Sequence, residues 1–348
     1  MPLHDCCLAV DAMGGDVGPR LVVPSVLSVL ERFPRLRCRL FGDEGVVAPL
    51  MANVPAGVRA RIDVVHCLQQ VSMDDKPAHA LRHKRDSSMW RAIAAVAEGN
   101  AQACISAGNT GALMAMGMIQ IGTLPGIERP AICTAVPTAR GKAHLLDMGA
   151  NIGCDARQLL QFAYMASAMV ETVESLPAPR IGLLNVGREA GKGDAVVRQA
   201  AQLFRDDPHI NYCGFAEGDA IFSGDFDIIV CDGFAGNVAL KSTEGAARMI
   251  VGRLRDEFST SWRAKLGALI ARPSLLRLQK MLDPANYNGA NLLGLEGTVI
   301  KSHGGATPEG FANALEVAIL ETDKQIPQRI SDKLARMSVA APLDGKGD

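Results

Sequence analysis

The stretch Phe226 to Lys241, FDIIVCDGFAGNVALK, decides how the rest of the chain is read. Ile228, Ile229, Val230 and Cys231 form a short apolar run of the kind that becomes a strand buried on both faces of a parallel sheet. The chain then turns through Asp232, Gly233, Phe234, Ala235, Gly236 and Asn237 into helical patterning from Val238 to Ile250. Two glycines let the backbone bend close to a ligand, and the first N–H groups of a helix lack an intrahelical partner, so such a junction can hold an anion. Lys241, one turn beyond Asn237, adds a full positive charge. The same residues also fit a plain strand-to-helix turn with an Asn cap and a surface lysine. Recurrence elsewhere in the chain favours the functional reading.

The turn recurs at three further places. Ala103 to Ile105 runs into Ser106-Ala107-Gly108-Asn109-Thr110-Gly111 and a helical segment, Ala112 to Ile121. A hairpin, Ala131 to Val136 with His144 to Asp147, ends in Asp147-Met148-Gly149-Ala150-Asn151, before an apolar helix from Ala156 to Val173. Ile181 to Asn185 opens into Val186-Gly187-Arg188-Glu189-Ala190-Gly191-Lys192-Gly193-Asp194, where two glycines can carry Lys192 close to an anion. Earlier, the strand Cys7 to Val10 meets Asp11-Ala12-Met13-Gly14-Gly15-Asp16, and a helix starts near Pro19. Strands near Arg39-Leu40-Phe41 and at Ile62 to His66 and a helix from Ser88 to Glu98 complete the first part. Strands alternating with helices predict an α/β fold with a largely parallel sheet and helices on both faces. Ligands in such sheets bind outside the carboxyl ends of the strands, so the four turns are expected to converge on one cleft. None is a dinucleotide or P-loop fingerprint, which leaves a phosphate or a substrate carrying one.

Composition narrows the class. A net charge of −1 gives no basic field for nucleic acid, and 4% aromatic residues leave little to stack bases on. The nine cysteines are scattered and never spaced C-x-x-C, so they read as small buried hydrophobes of a reducing cytoplasm, with neither a disulfide framework nor a metal site. Residues 1–5 are too short and polar for a signal peptide, and no apolar run approaches 18 residues, which points to a soluble protein.

The segment from about 245 to 285 differs from the rest. Helical patterning to about Phe258, a linker containing Trp262 and a second helix, Ser274 to Leu282 with Ser274 as N-cap, predict a helical hairpin. Eight basic residues against three acidic ones flank an apolar tip that includes Leu266, Leu269, Ile270 and Leu275. Such a tip suits an anionic bilayer, an acidic partner or a subunit interface. A second basic group, Arg82, Lys84 and Arg85, lies in the polar stretch Met73 to Met89, where a solvated helix face is the plainer reading. After NYNGANLLG at Asn286 to Gly294 come a strand, Thr298 to Ile300, the turn Lys301-Ser302-His303-Gly304-Gly305 and a closing helix from about Pro308. Residues 1–334 are expected to form one domain with the hairpin protruding, and 335–348 has the composition of a disordered tail.

AVDAMGGD, SAGNTGA, DMGAN, LLNVGREAGKG, DGFAGNVALK, GANLLGLEG and KSHGGA, in this order and spacing from about Cys7 to Glu321, resemble the bacterial phosphate acyltransferase family usually called PlsX. The resemblance implies transfer of a fatty acyl chain from the thioester of acyl carrier protein to inorganic phosphate, giving an acyl phosphate that feeds a membrane acyltransferase in phospholipid synthesis. It also implies a three-layer α/β/α fold related to phosphotransacetylase and isocitrate dehydrogenase-like enzymes, a homodimer, no cofactor, and peripheral association with the inner face of the plasma membrane.

That chemistry agrees with the residues. Phosphate is itself an oxygen nucleophile, so positioning and preorganised donors can supply most of the acceleration. Asn237 with the Gly236 turn, Lys192 and Lys241 are read as phosphate or oxyanion donors, with Asn109 at the second turn. His303 is read as a general acid or oxyanion donor, although a histidine in a glycine-rich turn also serves structural ends. Asp232 and Asp147 orient these groups. Asp11, Gly14, Gly15, Ser106, Thr110, Asn151 and Gly187 are read as lining the substrate, and the basic groups as docking the acidic carrier. Two rival readings are an NAD- and metal-dependent decarboxylating dehydrogenase on the same architecture and a non-catalytic lipid- or carrier-binding module.

Overall fold

Short apolar runs ending in Gly, Asn or Asp become strands, and the longer periodic segments become the helices that cover them. The computed structural model describes residues 6–340, so the expected polar start at 1–5 and the last part of the expected tail, 341–348, lie outside it. The chain begins with β1 (Cys6–Asp11), α1 (Pro19–Arg32), β2 (Leu36–Gly42), α2 (Glu44–Leu50), α3 (Ala56–Arg59), β3 (Ile62–His66), α4 (Pro77–His83), α5 (Ser88–Ala97), β4 (Ala103–Ser106) and α6 (Thr110–Gln120). The hairpin β5 (Ala131–Thr138) and β6 (Gly141–Leu146) leads into α7 (Ala156–Val173), β7 (Ile181–Leu184), α8 (Ala195–Asp206), β8 (Tyr212–Ala216), β9 (Ile228–Val230), α9 (Gly233–Ser259) and α10 (Trp262–Leu282). Then β10 (Ala290–Leu293) and β11 (Thr298–Lys301) return to the middle of the sheet, and α11 (Pro308–Lys324) and α12 (Ile326–Ala340) close the chain.

The eleven strands among the described residues form one sheet in the order β3-β2-β1-β4-β11-β10-β5-β6-β9-β7-β8. From β3 to β11 the pairs are parallel, and from β6 to β8 they are parallel again. Between these blocks β10 pairs antiparallel with both β11 and β5, and β5 antiparallel with β6. Three reversals leave the two blocks running in opposite directions. The carboxyl ends of β1, β4 and β11 therefore lie at one end of the sheet and those of β6, β7 and β9 at the other.

Alternating strand residues feed two helical layers. Ala9, Cys104, Val299, Leu292 and Leu145 face α5, α6 and the Ala239-Leu240 side of α9. On the other face, β1, β2 and β4 pack under α1 and α11, and Cys133, Leu146, Val230 and Leu183 under α7, α8 and α12. Asp155 and Gln158 form a reciprocal capping box at the start of α7. Seven of the nine cysteines are buried and all are free thiols; Cys213 is exposed.

The region after β9 departs from expectation in three ways. α9 begins at Gly233, capped by Asp232, so Asn237 is inside the helix. α10 is one helix from Trp262, capped by Ser261, and runs through Pro273 on its exposed side, so Ser274 is no N-cap. Pro273 removes one main-chain donor, and the rest of the helix tolerates the loss. The expected tail is helical as far as Ala340.

Glu321 of α11 is 4% exposed and accepts a hydrogen bond from Asn291 of β10. Burial pushes its carboxyl from 4.5 up to about 8, so the folded protein holds this proton more tightly than the unfolded chain. The linked stability is fully present below about 4.5 and is lost as pH rises through about 8. Glu321→Gln keeps the acceptor for Asn291 and removes the titration. Urea unfolding should give a variant-minus-wild-type gap that grows by at most about 1.4 kcal/mol per pH unit across this window and levels off beyond it.

Candidate active site

At the carboxyl ends of β1, β4 and β11 three loops interlock. Asp11 is 1% exposed; it accepts from Ser106 Oγ at 2.6 Å and from Met13 N, and Ser106 Oγ in turn accepts from Gly108 N at 3.0 Å. A Cβ on Gly14 would lie 2.6 Å from Asp11 Oδ2 and 2.7 Å from Gly108 N, so only glycine lets the first loop lie against the second. Gly15, at φ 87°, packs against Ala107, and Asp16 N donates to Gly304 O. Asn109 caps α6 by accepting from Ala112 N, and its amide donates to Met73 O at 2.7 Å and to Asp75 O at 3.0 Å. Thr110 is the first residue of that helix. Asp11, Gly14, Gly15, Ser106 and Asn109 thus shape this end of the sheet through bonds to the protein itself.

Lys301, the last residue of β11, is 9% exposed and donates to Ala107 O at 3.2 Å and to Ser302 O. Burial and the charge of Lys241 push its ammonium down to about 8. It was missed in the sequence; a lysine closing an apolar strand in front of a glycine-rich turn was the available signal. Beside it, His303 receives a bond from Gly305 N on Nδ1 at 3.1 Å, which places the proton of the neutral ring on Nε2. Burial and Lys241 lower the pKa of His303, favouring that neutral ring.

At the opposite end of the sheet, Asp147 is fully buried and receives Ile132 N, Ala150 N, Asn151 N and Asn151 Nδ2. α9 starts against this knot. Gly233 N donates to Asn151 O at 2.7 Å, Ala235 N to Asp232 Oδ1 at 2.9 Å and Gly236 N to Asp232 O at 3.0 Å. These N–H groups are already partnered within the protein, so the α9 start is a sealed turn. Asp232 acts there as a helix cap.

What joins the two ends is α9 itself. Asn237 and Lys241, four residues apart, share one face of the helix, exposed at Asn237 and half exposed at Lys241. Asn237 Cβ lies beside Gly149, and Lys241 Nζ lies 3.3 Å from His303 Nε2 and 3.0 Å from Glu244 Oε2. An ammonium and an imidazole N–H, from opposite blocks of the sheet, thus meet as two donors. An oxyanion is the group that such a pair accepts.

Residues 6–329 match the family described as fatty acid synthesis protein. The chain is 50% identical over 329 residues to the phosphate acyltransferase of Alcanivorax borkumensis, covering 94% of this chain and 97% of that protein. It is 49% identical to the phosphate acyltransferase of Methylococcus capsulatus, over 97% and 99% of the two chains. The chain belongs to the PlsX family of phosphate acyltransferases. Its fold matches that of a phosphotransacetylase from Streptococcus pyogenes with a TM-score of 0.60 at 17% identity, over 91% of this chain and 94% of that one.

Within this PlsX-family fold the four turns do not share one rim. Ser106 to Gly111 joins the β1 and β11 loops, while the turns after β6, β7 and β9 leave the opposite end of the sheet. Lys192 is exposed in the turn after β7, its stem against Gly187. Asn185 braces that loop by donating to Gly187 O and Lys192 O. Of the residues read as docking the carrier, Lys84 is committed to Asp75 and to Gln70 O, and Arg85 lies over the Trp90 ring. Arg82 is exposed.

Gly236 has a packing role. A Cβ there would lie 1.9 Å from Asp147 O. Gly236→Ala should therefore cost about 3 kcal/mol or more by overpacking, read as a lower urea midpoint. Asn237→Ala, on the exposed side of the same turn, should change stability by less than about 0.5 kcal/mol, read from the same unfolding curve.

Proposed function

We propose that the chain transfers a fatty acyl group from the thioester of acyl carrier protein to inorganic phosphate, with the phosphate held at the face formed by Asn237, Lys241 and His303. The observation that carries this placement is the 3.3 Å approach of Lys241 Nζ to His303 Nε2, two donors whose N–H groups can converge on one anion, with Glu244 Oε2 on the ammonium at 3.0 Å. A phosphate oxygen attacks the thioester carbon, the carbonyl oxygen becomes an oxyanion, and collapse breaks the C–S bond to leave acyl phosphate and the carrier thiolate. Lys241 offsets the charge of the phosphate, and the Nε2 proton of His303 is positioned for the oxyanion or for the departing sulfur. Asn237 adds a neutral donor along the same helix face. Lys301, buried behind them, ties the β4 and β11 loops together and so fixes where His303 stands. Lys192 is assigned to the rim, where its charge draws the acidic donor and phosphate toward α9.

Residues 6–334 act in this reading as one catalytic unit, and the α9–α10 hairpin as its attachment point. No helix among the described residues is long and apolar enough to cross a membrane. The hairpin nonetheless exposes Trp262, Leu266, Leu269, Ile270 and Leu276, interleaved with Arg263, Lys265, Arg272 and Arg277. Apolar insertion combined with basic charge is the pairing that holds a protein on an anionic bilayer. We assign the hairpin to the inner face of the plasma membrane, beside the membrane acyltransferase that consumes the product. The exposed Phe234 and Val238 on α9 are assigned to the homodimer contact.

Purified protein given acyl-carrier thioester and phosphate should release carrier thiol only when phosphate is present; release independent of phosphate would leave a thioesterase. Lys241→Ala and His303→Ala should each lower kcat/KM by roughly a hundredfold, and the double variant by less than the product, because both act on one anion. Leu269→Asp combined with Ile270→Asp should abolish flotation with anionic liposomes while turnover in solution persists. Flotation equal to wild type would reassign the tip to a protein interface.

A further inference from the structure

On the face of the sheet opposite α9, between α7 and α11, lies a cavity of about 610 Å³. This is within the range of small-molecule sites, about 300–1,000 Å³. It crosses β10, β5 and β6 beneath the 3₁₀ turn Pro284–Tyr287, and its lining has two characters. Met169, Val173, Val317 and Leu320 give apolar walls, while Thr134, Asn288, Asn291, Asn313 and His144 present hydrogen-bonding groups. His144 is 8% exposed, yet its Nε2 has no hydrogen-bond partner. Glu174 Oε1 is 3.4 Å from that nitrogen and 2.7 Å from Lys142 Nζ. The Lys142 ammonium is thus already matched, and Arg277, the other cation of the lining, donates to Ser274 Oγ. A hydrocarbon chain would fit the walls but leave the buried His144 Nε2 without a hydrogen-bond partner, at about 1–3 kcal/mol.

One end of the cavity adjoins the reacting groups. Asn288 accepts from His303 N at 2.8 Å and donates to Ser302 Oγ and Gly310 O, both at 2.8 Å. The far end, at His144, is two strand spacings beyond Asn291, roughly 10 Å across the sheet. Resting on the transfer reaction proposed above, we propose that this cavity receives the amide-bearing thiol arm on which the carrier presents its acyl group, with the sulfur at the Asn288 end. A flexible chain of methylenes and secondary amides offers apolar surface to Val173 and Val317. Its amides and hydroxyl pair with Asn291, Asn313 and His144. Asn288 then has two duties, holding the His303 backbone and marking where the thioester emerges toward the phosphate.

The probe is D-pantetheine, the arm without acyl group or carrier, titrated into the full-length protein and followed by calorimetry. Val317→Trp fills the cavity from α11 and Val173→Trp fills it from α7, so failure of one variant to fold leaves the other. Saturable binding to wild type that is lost in a folded tryptophan variant supports the assignment. So does a rise of about tenfold or more in KM for acyl-carrier with KM for phosphate within about twofold. Pantetheine binding that survives a folded tryptophan variant overturns it. A KM penalty that grows with acyl-chain length also overturns it, by giving the cavity to the hydrocarbon. Absence of phosphate-dependent thiol release in wild type would remove the reaction alone, since pantetheine binding is read without turnover.

Discussion

The reversal of strand direction between β11 and β6 is the constraint on which the rest of the structure depends. A sheet parallel throughout would deliver every polar turn to one rim. Here β10 and β5 turn the second block over, and the loops of β1, β4 and β11 are separated from those of β6, β7 and β9 by the full height of the sheet. Only an element that traverses a face can bring the two sets together, and α9 does so. Nine residues separate its cap, Asp232, from Lys241, about 13 Å at 1.5 Å per residue. That length carries a cation from one block to the histidine of the other.

The seating of α9 explains the cost invested in Asp147. Burial raises the pKa of its carboxyl, and the bonds from Ile132, Ala150 and Asn151 work against that shift. Four donated hydrogen bonds are an unusual concentration for one buried side chain, and they fix the loop whose carbonyl oxygen Gly236 must approach. The Asp11 knot at the other end is built alike, with Ser106 and Met13 as donors and Gly14 where a side chain would collide. Each aspartate anchors one end of the α9 span. Their rigidity matters because an oxyanion gains from donors that need no rearrangement when charge develops.

Much of the fold was legible because local and tertiary preferences coincide. Ile62 to His66 and Ala156 to Val173 have the observed limits, since turn residues bound an apolar run in one and a capping box opens a 3.6-residue stripe in the other. Legibility failed where two residues of like chemistry compete. Asp232 and Asn237 both suit a helix cap, and the sheet chose the first because Asn151 O is placed to receive Gly233 N. Ser274 behind Pro273 reads as a helix start, but an exposed proline removes one main-chain donor from a helix already begun at Ser261. β10, four residues among asparagines, has no period to detect, and the strand reversal passes through it. Of the candidate site, Lys241 and His303 were recognisable by type, while their meeting and the burial of Lys301 are products of that reversal.

In the reading proposed above, phosphate and the carrier's arm reach the reacting groups from opposite faces of the sheet, so neither has to pass the other's site. The sheet supplies the partition. Its α9 face presents Lys241, with the charge of Lys301 buried behind it. Its other face carries the cavity between α7 and α11, where Lys142 is paired with Glu174 and burial favours the neutral form of Glu321. His303 stands on the turn between them, its ring toward the cation and its backbone held by Asn288 of the cavity wall. A residue with one contact on each side is where two substrates of opposite character can be brought within bonding distance.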